Sequence, residues 1–155
     1  MGQGTKKGDR VMSWRYRLES PFRYQSSLLS DVLFENEWGR IDGYSIEIAK
    51  GYSWDGCSPA WRIGSLWLGT PDGKLNPDGR PQTFYASLVH DYLCQFSRSI
   101  DIKKEVTVIL FRNMLIEGGF SPLRAAIYAA CVDKFGPQDW GVDADVFQYL
   151  QKGYR

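Results

Sequence analysis

The chain reads as an α+β protein, with a small antiparallel sheet in the N-terminal half followed by three or four helices in the C-terminal half. Three observations predict this. Short runs from Trp14 to Ile48 alternate apolar and polar residues, the period of a half-buried strand. After Pro81 the apolar residues recur at three and four, the period of an amphipathic helix. Strands also precede helices without the alternation that a parallel sheet requires. At 155 residues the chain is long enough for one core and short for two. We therefore expect a flexible arm over residues 1–13 and a single domain over 14–155.

Trp14, Tyr16 and Leu18 alternate with Arg15, Arg17 and Glu19, and Ser20-Pro21 ends that strand. Phe22 to Gln25 resumes it, Asp31 to Trp38 alternates loosely before a turn expected at Gly39, and Tyr44 to Ile48 alternates again. From Tyr52 to Pro59 regular structure is expected to stop, because Gly51, Gly56 and Pro59 punctuate a loop holding Trp54-Asp55 and Cys57-Ser58. Thr70-Pro71-Asp72-Gly73 and Asn76-Pro77-Asp78-Gly79 are surface turns. A calcium hand does not fit them, since its first and last ligand positions would be Lys74 and Tyr85.

The first helix carries Tyr85, Val89, Tyr92 and Phe96 on one face and Ala86, His90 and Leu93 on another. A second runs from Ile102 to Glu117, with Val106, Ile109, Leu110 and Met114 expected inside and Gly118-Gly119 as its stop. Ser121-Pro122, a cap followed by proline at the first helical position, opens a third helix through Asp133. Its alanines at 125, 126, 129 and 130 allow close packing. Asp143 to Gln151 reads as a short amphipathic tail helix.

Composition narrows the function. The formal net charge of +1, without a long run of one sign, offers no basic footprint for nucleic acid. Three widely spaced cysteines match neither a disulfide framework nor a paired zinc motif. The N-terminus lacks the apolar run of a signal peptide and no stretch approaches a membrane span, so a cytoplasmic protein is expected. Aromatics at 15%, six of them Trp, suit either a packed core or the rim of a cleft.

One pair of residues concentrates the chemistry. His90 is the sole histidine, and Asp91 follows it directly. A helix sets consecutive side chains about 100° apart, so the two leave on neighbouring faces and can address one cleft. Imidazole is the side chain that titrates near neutrality, which suits a general base, and a carboxylate beside it suits a cation or a water. The structural alternative is a histidine bonded within the core. Asp55 can supply a second carboxylate, Ser58 can cap the loop, and Trp54 can line a substrate. A divalent cation, calcium or zinc, would then lie between Asp91 and Asp55. A serine-hydrolase elbow is absent, since Ser58 is followed by Pro59. Cys94, one turn beyond His90, reads as core.

Gly51-Tyr52-Ser53-Trp54-Asp55-Gly56-Cys57-Ser58-Pro59, then Leu88-Val89-His90-Asp91-Tyr92-Leu93, then Ile127-Tyr128 through Phe135-Gly136, resemble the pattern of a phage- and prophage-associated family known as domain of unknown function 1353. The resemblance spans roughly Trp14 to Trp140. It implies a phage-encoded protein in the host cytoplasm, or carried in the virion, with other phage structural proteins as partners. The helical half also resembles bacterial phospholipase A2 at His90-Asp91. There the histidine activates water, the aspartate holds calcium, and an aspartate on an antiparallel helix braces the histidine. Thr107 stands where that brace is expected, with Glu105 and Asp101 as substitutes nearby.

Two readings follow. In one, Asp55, His90 and Asp91 form the hydrolase-like pocket of an enzyme, metal-dependent if a cation sits there. In the other, the protein is a non-enzymatic tail, baseplate or assembly component in which the same residues are structural.

Overall fold

The computed structural model describes residues 16–54, 61–63, 66–68 and 77–135. It shows antiparallel sheets followed by three α-helices, the α+β class expected from the periodicities. The strands are β1 (Tyr16–Arg17), β2 (Phe22–Gln25), β3 (Leu33–Asn36), β4 (Gly39–Asp42), β5 (Ser45–Ile48), β6 (Ser53–Trp54), β7 (Trp61–Ile63) and β8 (Leu66–Leu68). The helices are α1 (Phe84–Gln95), α2 (Lys104–Glu117) and α3 (Pro122–Phe135). The arm expected over 1–13 and the tail helix expected over 143–151 lie outside the described residues.

The principal sheet has the order β2-β5-β4-β3, all antiparallel. Its register separates two kinds of surface. Tyr24, Ile46, Ile41 and Phe34 are aligned across the four strands on the face turned to the core, where Ile46 and Ile41 are buried. One residue along, Arg23, Glu47, Arg40 and Glu35 are aligned on the opposite, exposed face, with signs alternating from strand to strand. Each neighbour in that row is an opposite charge, the arrangement that favours pairing between strands.

β4 is where the sequence expectation fails. Gly39 is the first residue of that strand, and the turn before it is Glu37–Trp38. Asn36 closes the turn, its Oδ1 accepting the amides of Trp38 and Gly39 at 2.9 Å each. Glycine is required at 39 by close approach: a Cβ there would lie 2.5 Å from the Glu47 carbonyl oxygen and 2.8 Å from the Tyr92 hydroxyl. The loop expected from Tyr52 also begins later, because Ser53 and Trp54 pair with Arg17 and Tyr16. β7 and β8 form an antiparallel hairpin in a stretch the sequence reading left without strands.

α1 has no exposed residue among its twelve. It lies between the sheet and α2, and its apolar residues on both sides follow from that position. On the sheet side, Tyr92 packs against Tyr52, Phe34 and Phe96, while Tyr85 stacks on Phe22 at 4.5 Å between centroids. α2 buries Thr107, Leu110, Phe111, Met114 and Leu115, a set spaced by three and four. The expected inward face was therefore rotated: Ile109 is 44% exposed and Val106 only half-buried.

α2 ends in a paired C-terminal motif. The amide of Phe120 donates to the Leu115 carbonyl and that of Gly119 to the Ile116 carbonyl, with Gly119 at φ +104°. Phe120 is buried just beyond, its ring against Tyr128 and under the Arg124 guanidinium. At the far end, Lys104 Nζ donates to the Asp133 carbonyl at 2.8 Å and pairs with its carboxylate at 3.3 Å. The start of α2 thus meets the end of α3, so the two run antiparallel. Among the described residues no helix is long and apolar enough to cross a membrane.

Candidate functional site

The site grows from α1, because burial of that helix decides what each of its polar residues must do. On the sheet side the polar groups are paired over long sequence distances. The Tyr52 hydroxyl donates to Gln95 Oε1 at 2.7 Å, and the Trp54 indole N–H donates to Ser87 Oγ at 3.1 Å. Ser87 in turn donates to the Phe84 carbonyl at 3.0 Å. Trp54 is 1% exposed and packs against Phe84 and Tyr16, so its ring offers no surface to a substrate.

His90 leaves on the α2 side. Its ring is 5.3 Å from that of Phe111, and the residue is 8% exposed. Its Nδ1 lies 3.7 Å from Asp91 Oδ1, an ion-pair separation too long for a direct hydrogen bond. Cys94 Sγ, one turn on, is 3.6 Å from Nδ1 and 3.5 Å from Nε2. The two N–H bonds of a protonated imidazole diverge, so a sulfur nearly equidistant from both lies off the line of either. The contact is electrostatic rather than a directed bond.

Those neighbours set the charge on the ring. Burial opposes it, but attraction to the Cys94 sulfur and the Asp91 carboxylate outweighs burial and raises the pKa from its ordinary 6.5 to about 10. The Asp91 side chain is 35% exposed. Its charge is also felt at Tyr52, whose phenol is raised chiefly by burial and further by Asp91. The pair on neighbouring faces expected from helical geometry is therefore present, with the imidazole inside and the carboxylate at the surface. Cys94, half-buried beside them, is the group that the sequence reading left in the core; the i, i+4 spacing from His90 is its signal.

No brace of the expected kind comes from α2. Thr107 is buried, but its hydroxyl donates to the Lys104 carbonyl of its own helix at 2.7 Å. Glu105 and Asp101 are exposed. The α2 side chain recorded against the imidazole is the apolar ring of Phe111.

Asp55, Ser58 and Cys57 lie outside the described residues, so the expected approach of Asp55 to His90 is not described. What is described is the loop's first anchor, since Trp54 immediately before it is bonded to α1 through Ser87. For a calcium or zinc ion the described residues do not suffice. Among them no group of three or more His, Cys, Asp or Glu is placed to hold a metal. No family model, curated protein or solved structure matches the chain.

Proposed function

We propose that the outward edge of the His90–Asp91 pair is the acid and base of a hydrolase-type site. Hydrolysis needs one group to take a proton from water and another to give one to the departing oxygen. The observation that carries the reading is a proton-holding imidazole 3.7 Å from a carboxylate that solvent reaches. The Asp91 carboxylate accepts a proton from water, and the water oxygen bonds to the ester or phosphoester centre. The bond to the leaving oxygen breaks, and the His90 imidazolium gives that oxygen its proton. This reverses the role expected for His90, because a ring that keeps its proton to about pH 10 serves as acid rather than base near neutrality. The resemblance to the phage-associated family supports a phage-encoded enzyme of the host cytoplasm or virion as its setting.

The test is a panel of chromogenic esters and phosphodiesters with wild type, Asp91→Asn and His90→Asn. The expected result is turnover by wild type and a loss of about 100-fold or more in each variant that still unfolds cooperatively. A wild type silent on the whole panel, or a His90→Asn variant as active as wild type, sinks the reading.

A second reading is favoured by the burial of the His90 ring and by the buried face of α2, which carries no carboxylate. In it the chain is a non-enzymatic tail, baseplate or assembly component, and the His90 cluster is structural. A silent panel together with a strongly destabilised His90→Asn variant supports that reading.

A further inference from the structure

Cys94 is the side chain of the His90 cluster that the hydrolytic reading leaves without a task. It is half-buried, so solvent reaches the residue, while His90 beside it is only 8% exposed. Its Sγ lies 3.6 Å from Nδ1 and 3.5 Å from Nε2 of the ring. Because it sits off the line of both N–H bonds, the sulfur meets the positive ring without taking either proton. The Asp91 Oδ1 oxygen stands 3.7 Å from Nδ1, beyond hydrogen-bond distance. A ring nine-tenths buried thus carries N–H groups that, among the described residues, no oxygen is recorded to accept at hydrogen-bond distance. They are available to an oxygen that arrives with a substrate, and a nucleophilic atom stands next to them.

We propose that Cys94 is a nucleophile toward hydroperoxides, with His90 as the donor that protonates the departing oxygen, a reaction separate from hydrolysis. Attack on a peroxide needs a sulfur able to become anionic and a proton for the leaving oxygen. Both lie within one turn of α1. Cys94 gives its thiol proton to water, and the positive ring against the sulfur stabilises the anion so formed. The opposing charge, Asp91, has a side chain 35% exposed and is screened by solvent. The S–O bond forms as the O–O bond breaks, and the departing oxygen takes the imidazolium proton and leaves as water. Sulfur is oxidised to the sulfenic acid, the peroxide is reduced, and the ring recovers a proton from solvent. That ring keeps its proton to about pH 10, so the donor is in place at neutrality. Phe111 lies against the ring from α2 and the cysteine is half-buried, an approach that suits the smallest electrophile of the class, hydrogen peroxide.

Cys131 on α3 is the internal reference: it too is half-buried, and the chain's sole imidazole lies against Cys94. The full chain is treated at neutral pH with hydrogen peroxide and, separately, with iodoacetamide. Dimedone traps the sulfenic acid, and mass spectrometry reads the rate at each cysteine. Alkylation expels iodide and needs no proton, so it reports access and ionisation without the donor. The expected result is that peroxide oxidises Cys94 about ten-fold or more faster than Cys131, with a smaller ratio for iodoacetamide. In His90→Asn the peroxide rate at Cys94 falls by about ten-fold or more while that at Cys131 is unchanged. Equal peroxide rates at the two cysteines of wild type overturn the proposal, and so do equal ratios for the two reagents. Both comparisons are made on wild type and need no variant to fold. A folded His90→Asn variant whose Cys94 is oxidised as fast as in wild type overturns it as well.

Discussion

The two sides of α1 bury polar groups in opposite ways. Toward the sheet, Tyr52 to Gln95 and Trp54 to Ser87 are short, directed hydrogen bonds between parts of the chain 43 and 33 residues apart. Toward α2, the polar partners recorded for His90 are Asp91 and Cys94, within one turn of the same helix, at 3.5–3.7 Å. Long-range bonds fix tertiary structure. Local, loosely directed ones fix only the charge state of the group they surround. The sheet side therefore holds the loop-bearing strand to the helix, while the α2 side keeps a proton beside a carboxylate.

The comparison breaks most visibly at Trp54. Trp54→Ala removes the largest fully buried side chain of the sheet side, and with it the acceptor's partner at Ser87. We expect a loss of about 3–5 kcal/mol in denaturant unfolding. A loss below about 1 kcal/mol would show that the region relaxes around it and that the anchor is dispensable. Tyr52→Phe is milder. It keeps the ring and strips the hydroxyl from a buried pair, leaving Gln95 Oε1 without this donor, for an expected loss of about 1–3 kcal/mol.

His90 sharpens the contrast through pH. Its folded pKa lies above its unfolded value, so its contribution is complete below pH 6.5 and is lost as pH rises through about 10. The difference in stability between wild type and His90→Asn is expected to be greatest at about pH 6 and to shrink steadily toward pH 10. The corresponding difference for Tyr52→Phe should stay flat up to about pH 9, since below its ordinary pKa of 10.0 the phenol is protonated in the unfolded chain and, being raised by burial, in the folded one. Parallel curves for the two variants would mean that His90 is neutral in the fold and that the two sides of α1 do not differ in this way.

Much of this was legible from periodicity. β2, β5 and the three helices follow from runs in which period two or period three-and-four is uninterrupted. β4 was not, because Gly39 reads as a turn when nothing in the sequence reveals that Tyr92 and Glu47 crowd its α-carbon from elsewhere in the chain. The face of α2 was misphased for a related reason. Ile109 is apolar yet exposed, and Thr107 is polar yet buried because its hydroxyl is satisfied within the helix. At the candidate site, adjacency of His90 and Asp91 was visible at once. The burial of Trp54 and the displacement of the expected brace by Phe111 depend on how separate elements meet, and no local pattern encodes that.

The row of alternating charges across the principal sheet ends in a carboxylate, at Glu35 on β3, the last strand of that sheet. A strand added there in line would place its own side chain opposite Glu35. Two copies meeting antiparallel about that residue would set carboxylate against carboxylate, an unfavourable pair. The row thus does more than knit four strands together. It discourages two copies from joining edge to edge through β3, the hazard that any terminal strand carries, while a strand that brings lysine or arginine to that position, as this chain's own β2 does with Arg23 at the other edge, is free of that penalty.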